Sequence, residues 1–134
     1  MSRKAIQSRA DIHFLVTRFY EKVRSDEIIG HFFNETITDW DAHLELLTTF
    51  WESSLFITRK LEHKYSGDPL KVHVDVDAKF DHSIKDLHFG IWLNHWYQTI
   101  DLYFDGEVAD NAKRRARKMG SFLYMKIFEA RQNQ

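Results

Sequence analysis

The sequence predicts an all-α protein, and three observations support this fold class. Its 134 residues include five glycines and one proline, few helix breakers for this length, which favours helices joined by short connections. Apolar residues recur at helical spacing in several long windows. No stretch alternates strongly with the period of two that is typical of a half-buried strand. The length suits a single domain, residues 1–134, with a sizeable core.

The first half of the chain predicts two long helices with a short helical piece between them. Residues 8–25 carry a helically spaced apolar stripe, and a break at Ser25-Asp26 precedes a short piece that ends at Asn34. The second long helix follows Thr38, which stands in capping-box spacing with Asp41. Its two neighbouring stripes contain the following residues: Trp40, His43, Leu44, Leu47, Phe50, Trp51, Ser54, Leu55 and Ile57.

The second half predicts five elements in order. The first is a connection over 59–69 that ends in a Gly67-Asp68-Pro69 turn, and the second is a short helix that Pro69 opens and that carries Leu70, Val72 and His73. A polar loop over 75–81 and a long helix over 82–104 come next. The last helix, over 107–130, follows a break at Asp105-Gly106.

Composition excludes several classes of function. Cysteine is absent, which rules out disulfides, thiolate metal sites and a cysteine nucleophile. The formal net charge is −1, and the basic run at 113–118 spreads around a helix, so no surface favours nucleic acid. No window approaches the roughly 18 consecutive apolar residues of a membrane helix, and the N-terminus lacks a signal peptide. We therefore expect a cytoplasmic protein without a nucleic-acid or membrane partner.

The aromatic residues and two histidines point to a cofactor pocket. Aromatic residues make up 15% of the chain, which suits either a crowded core or a pocket for a large flat ligand. His43 lies on the buried side of the second long helix, and His73 follows the turn at Pro69. A histidine on each side of an aromatic pocket favours haem, because imidazole ligates iron and a porphyrin needs apolar walls. The alternative is a cofactor-free helical interaction module whose aromatic residues are simply core.

The order and spacing of several motifs resemble those of the group III truncated haemoglobins. The resemblance covers nearly the whole domain, about residues 12–128. It is carried by these segments: Phe19-Tyr20-Glu21-Lys22-Val23-Arg24, Phe32-Phe33-Asn34, Trp40-Asp41-Ala42-His43, Phe50-Trp51, Tyr65-Ser66-Gly67-Asp68-Pro69-Leu70-Lys71-Val72-His73 and His88-Phe89-Gly90-Ile91-Trp92-Leu93.

The resemblance implies a globin-like two-on-two helical sandwich around haem b, iron protoporphyrin IX. It implies that His73 is the proximal iron ligand and that its other ring nitrogen donates a hydrogen bond to a backbone carbonyl. Tyr20, His43 and Trp92 would surround the distal ligand-binding site. Phe33 would pack against the porphyrin face.

The implied function is the binding of dioxygen, nitric oxide or carbon monoxide at the iron. Tyrosine and tryptophan donors would stabilise the partial negative charge on bound dioxygen and slow its release. Slow release suits nitric oxide dioxygenation or peroxidase-like chemistry better than oxygen transport. Such turnover needs electrons, and we expect a separate reductase, because the sequence lacks a phosphate-binding glycine loop. A carrier or sensor role stays open beside the enzymatic one.

Two features qualify the resemblance. The stretch from His73 to His88 is longer and more acidic than the family's usual segment and lacks the expected prolines, which predicts a differently ordered proximal helix and loop and weaker haem retention. His43 could itself ligate the iron; five- and six-coordinate iron both stay open, and we expect an open or exogenous sixth site. Weak candidates for the haem propionates are Arg59, Lys71 and His88.

Overall fold

The computed structural model describes residues 3–56 and 69–132. These ranges contain six helices: α1 (Arg9–Ser25), α2 (Gly30–Asn34), α3 (Trp40–Leu55), α4 (Pro69–Lys79), α5 (Asp86–Tyr103) and α6 (Glu107–Gln132). Within them the one β-type contact is an isolated bridge between Lys4 and Phe104, and no strand forms. The predicted all-α class is confirmed. In the same ranges, none of the helices combines the length and apolar character needed to cross a membrane.

The helices form the predicted two-on-two sandwich. Helices α1 and α3 pack together as one layer, and α5 and α6 form the other. Contacts between α1 and α5 join the layers, while α4 lies against α6. This arrangement leaves space between α3 and α4, on either side of which the two singled-out histidines lie.

An aromatic and aliphatic core holds the two layers together. The side chains of Leu15 and Val16 of α1 and of Trp96 of α5 have no exposed surface. The α6 face that meets α5 is built from small residues, among them Ala112 and Ala116, which let the two helices approach closely. The buried indole N–H of Trp96 donates a hydrogen bond to the Ala112 carbonyl at 3.2 Å, so this buried donor has a partner within the core.

The helix starts follow ordinary capping chemistry, with one correction. Ser8 caps α1 by accepting a hydrogen bond from the Asp11 N–H, as the predicted start of that helix implies. The N-cap of α3 is Asp39, whose side chain accepts from the Ala42 N–H at 3.1 Å. The prediction that Thr38 and Asp41 form a capping box was therefore wrong, because the chain enters the helix one residue later.

The largest departure from prediction lies around α4. Residues 75–79, predicted as the start of a polar loop, continue α4 as far as Lys79. Helix α5 begins at Asp86 rather than at residue 82. Asp81 and His82 both have φ of +59°, in the left-handed region, which interrupts any helix there. Helix α4, which carries His73, is thus a regular helix of three turns despite its acidic sequence.

The turn between α1 and α2 is fastened to α5 through Asp26. Its carboxylate accepts hydrogen bonds from the N–H groups of Ile28 and Ile29 at 2.8 and 3.1 Å. It also accepts one from His95 Nε2 at 2.7 Å. Burial alone would raise the pKa of Asp26, but the hydrogen bonds from His95, Ile29 and Ile28 outweigh it and hold the pKa below its ordinary value of 3.8.

We expect Asp26→Ala to lower the free energy of unfolding at neutral pH by about 1–3 kcal/mol, because it removes a charge-assisted hydrogen bond and two turn acceptors. Since the pKa of Asp26 is depressed in the folded protein, this contribution is present above the unfolded pKa and is lost as the pH falls through the folded pKa. The difference between wild type and variant should therefore shrink in acid. Urea unfolding at several pH values measures it, with the exposed neighbour Glu27→Ala as the control.

Candidate functional site

A largely apolar cavity lies between the helices. It measures about 180 Å³, and with its open mouth the space between the helices comes to about 1110 Å³. Among the described residues, no Asp, Glu, Lys or Arg side chain lines it. The lining residues are Tyr20, Ile29, Phe32, Phe33, Thr36, Ile37, His43, Leu47, Phe50, Trp51, Pro69, Val72, His73, Val76, Ile84, His88, Phe89, Trp92, Met119 and Leu123.

The five residues that the sequence singled out come together at this cavity. Tyr20 reaches it from α1, Phe33 from α2, His43 from α3, His73 from α4 and Trp92 from α5. These five residues are spread over more than seventy positions in the chain, so the fold alone places them around one space.

His73 is held with one ring nitrogen committed and the other facing the cavity. Its Nδ1 lies 2.6 Å from the carbonyl oxygen of Pro69, one turn earlier in α4. Because a carbonyl can only accept, Nδ1 carries the proton and Nε2 is left with its lone pair. Burial lowers the pKa of His73, and the bond to Pro69 opposes part of that effect. His73 is therefore a neutral imidazole prepared to act as a metal ligand.

His43 faces the same cavity from α3. Burial lowers the pKa of its imidazole, and electrostatic repulsion from His73 adds to the effect. The Asp39 carboxylate caps α3 rather than pairing with the His43 ring. His43 is thus also neutral at physiological pH, with one nitrogen able to donate and one able to accept.

Tyr20 is nearly buried, and four aromatic rings surround it, with Phe19 of its own helix at 4.8 Å between centroids. It is 7% exposed, and its ring lies 5.7 Å from Phe33, 5.6 Å from Trp40 and 5.8 Å from His43, measured between centroids. Burial raises the pKa of Tyr20, while interaction with the Trp92 side chain pulls it the other way. The phenol therefore keeps its proton and remains a hydrogen-bond donor inside the cavity.

An aromatic wall behind the cavity fixes Trp92. The Phe19 ring meets the rings of Trp92 and Trp96 edge to face at 5.6 and 4.9 Å. Trp96 in turn stacks on Trp51 at 4.6 Å with an interplanar angle of 22°. Edge-to-face and stacked contacts of this kind restrict ring rotation, so the indole of Trp92 is presented in one orientation.

Sequence reasoning missed three residues that shape the site. Trp40 contacts both Tyr20 and His43, and the Arg24 guanidinium lies 4.3 Å from the centre of its ring. The spacing of Trp40 and His43, three apart in a helix, could have signalled this. Met119 and Leu123 close the cavity from α6, and only the packing of that helix shows it.

The three propionate candidates differ in position. His88 lines the cavity, and its Nδ1 accepts a hydrogen bond from the Lys85 N–H at 2.8 Å. Lys71 is exposed on α4 and pairs with Asp75 at 2.8 Å. Arg59 lies outside the described residues.

The donor set fits one kind of metal cofactor. In residues 3–56 and 69–132, no group of three or more His, Asp or Glu side chains is placed to hold a bare ion. The cavity instead offers one pre-oriented imidazole within apolar and aromatic walls. Haem suits this set, because the porphyrin brings four nitrogen donors of its own and needs a single axial imidazole and apolar faces.

Comparison with known proteins supports the same assignment. No family model matches the chain. The chain is 28% identical over 119 residues to the group 3 truncated hemoglobin ctb of Campylobacter jejuni, covering 86% of this chain and 87% of that protein. It also matches the crystal structure of a group III truncated hemoglobin from Campylobacter jejuni with a TM-score of 0.80 and 26% identity, covering 94% of this chain and 95% of that one. In sequence and in fold, the chain is similar to the group III truncated haemoglobins.

Proposed function

We propose that this protein binds haem b and uses its iron to bind dioxygen and other small diatomic ligands. Similarity to group III truncated haemoglobins supports haem-based ligand binding. The observation that carries the proposal for this chain is the apolar cavity in which His73, bonded to Pro69, faces His43 and Tyr20.

The cavity itself argues that a ligand fills it. Protein cores are normally packed without voids. A space of about 180 Å³ that is lined by apolar side chains and open at its mouth is typical of a ligand pocket. The alternative, a cofactor-free interaction module with a solid aromatic core, does not account for this space.

Each side chain has a separate task in the proposed mechanism. When bound, haem supplies an iron centre that takes diatomic ligands. His73 would hold the iron through Nε2, while the Pro69 carbonyl fixes the ring and makes the imidazole more basic. Tyr20 and Trp92 would donate hydrogen bonds to the bound ligand, and His43 could add a third. Phe33 would pack against the porphyrin.

These donors act in surroundings that strengthen them. A hydrogen bond to a charge-polarised acceptor contributes about 1.5–3 kcal/mol, roughly ten- to hundredfold in affinity. The effect is greater where water is excluded, as it is around the nearly buried Tyr20. Dioxygen, which becomes polarised on binding, gains more from them than carbon monoxide does.

A second candidate function is redox chemistry with nitric oxide, oxygen or peroxide, and the two distal donors favour it. Retention of dioxygen by Tyr20 and Trp92 suits reaction better than delivery. Conversion of nitric oxide and dioxygen to nitrate consumes one electron, so turnover would require a separate reductase. Nitrate produced in step with nitric oxide consumed, by protein loaded with dioxygen, would support this activity.

We expect protein expressed with adequate haem to show a Soret band that shifts when the reduced form takes up carbon monoxide. His73→Ala should lose most of the bound haem, and added imidazole should restore part of the band, because it replaces the missing ligand. His13→Ala, which removes a histidine of α1 that does not line the cavity, should keep both the band and its shift. A colourless, folded wild type that takes up no hemin would instead support the interaction module.

We expect Tyr20→Phe to release dioxygen roughly ten- to hundredfold faster, because the loss of one donor removes about 1.5–3 kcal/mol of stabilisation. Carbon monoxide release should change much less. Stopped-flow displacement of dioxygen by carbon monoxide measures the rate. Tyr103→Phe, which removes a hydroxyl outside the cavity, is the matched control. An unchanged dioxygen rate in Tyr20→Phe would remove the distal role proposed for this residue.

A further inference from the structure

Asp77 is a buried carboxylate whose oxygens are fully engaged. It is 2% exposed and lies on α4. Arg131 of α6 grips it with both ends of the guanidinium, Nε to Oδ2 at 2.9 Å and Nη2 to Oδ1 at 2.7 Å. Burial alone would raise the pKa of Asp77, but the bonds from Arg131 and Ile84 outweigh it and lower the pKa, so the carboxylate stays charged.

The same pair organises the connection that leads from α4 to α5. Asp77 Oδ1 accepts the Ile84 N–H at 3.1 Å, and Arg131 Nη2 donates to the Ile84 carbonyl at 2.5 Å. The His82 N–H donates to the Asp77 carbonyl at 2.7 Å. These bonds hold the two left-handed residues, Asp81 and His82, in a conformation that costs free energy on its own.

Helix α4 depends on this attachment more than the other long helices do. Its packing in the described ranges is mainly against α6. Its outer surface is polar, with Lys71 and Asp75 exposed. At its C-terminal end, Lys79 Nζ donates to the Glu35 carbonyl at 2.6 Å. A bidentate, buried ion pair is therefore the strongest directional contact between α4 and the sandwich.

The ion pair acts on the face of α4 that carries His73. Residues four apart in a helix lie one above the other, so Asp77 and His73 share a face. The ring of His73 contacts Phe89 of α5 at 6.4 Å, and Phe89 contacts Tyr124 of α6 at 5.9 Å, measured between centroids. His73 thus contacts α5 directly and reaches α6 through Phe89, and the ion pair joins α4 to α6 one turn away.

We propose that the Asp77–Arg131 ion pair is a clamp that positions the proximal helix, and that it sets how firmly His73 holds the haem iron. The clamp rests on the proposed function, because it takes His73 to be the iron ligand. Asp77 and Arg131 are positioning residues: they touch neither the ligand nor the cavity, and they act by keeping α4 at a fixed distance from α6.

Loosening the clamp should weaken the proximal bond. In Arg131→Gln, the rate of haem transfer to excess apomyoglobin should rise about tenfold. Loss of a residue that supports a metal ligand typically weakens metal binding by about ten- to hundredfold, and we expect the lower end of that range. The iron–histidine stretching band, observed by resonance Raman after photolysis of the carbon monoxide complex, should shift or broaden. Arg131→Lys keeps the charge but loses the fork, and it should fall between wild type and Arg131→Gln.

Two controls separate positioning from general stability. Arg114→Gln removes an exposed charge from the same helix and should leave both the transfer rate and the band unchanged. Val16→Ala destabilises the core of α1 far from α4, and it should lower the unfolding midpoint without moving the band. If Arg131→Gln does not fold, the same two measurements are made on Arg131→Lys instead.

The outcomes are distinct. If Arg131→Gln, or Arg131→Lys where the first is unfolded, keeps the wild-type transfer rate and band, the clamp is overturned while the proposed function stands. If Val16→Ala moves the band as far as Arg131→Gln does, the effect is one of overall stability and the clamp is again overturned. If wild type shows no iron–histidine band or binds no haem, the proposed function itself fails.

Discussion

The architecture depends on keeping an apolar cavity open beside a core that is otherwise filled. Hydrophobic collapse acts against such a space, because every lining side chain gains contacts by moving inward. The rings of Phe19, Trp51 and Trp96 resist this, since they are locked against one another behind the cavity wall. The small residues of α6 let it approach α5 closely, and its larger Met119 and Leu123 close one side of the space. The cavity is therefore a consequence of where the rigid groups lie.

The same low-polarity surroundings determine the protonation state of every group that faces the cavity. Burial lowers the pKa of His73 and His43 and raises the pKa of Tyr20. Each shift favours the neutral form, as is expected where the lining residues in 3–56 and 69–132 include no carboxylate or cation to compensate a charge. A neutral imidazole can ligate iron, and a neutral phenol can donate a hydrogen bond. One physical cause thus prepares ligand and donor together.

Local patterns in the sequence were sufficient for most of the fold and for naming five residues that the structure brings to one cavity. Helical periodicity predicted α1, α3, α5 and α6, and the proline before His73 marked the start of α4. The sequence pattern predicted a loop at residues 75–79, where the structure has helix, because the pattern treats every aspartate as solvent-exposed. Asp77 is buried by Arg131, 54 residues further along the chain, and no local window contains that partner. The cavity-lining residues of α6, Met119 and Leu123, were not predicted as site residues for the same reason, because their position at the cavity follows from tertiary packing alone.

The structure changes the interpretation of the acidic stretch after His73, whose composition predicted a differently ordered proximal helix. Excess acidic charge in a short helix predicts fraying and a loosely held proximal ligand. Asp75 does face solvent and pairs within α4, but Asp77 accepts an arginine from the last turn of α6. A bidentate guanidinium has fixed geometry, so it defines a position as well as contributing attraction. An apolar side chain at Asp77 could bury comparable surface yet would allow α4 to slide along α6. The position of the helix that carries His73 is consequently defined by a directional ion pair in addition to the packing of Val74 and Val76 against the core.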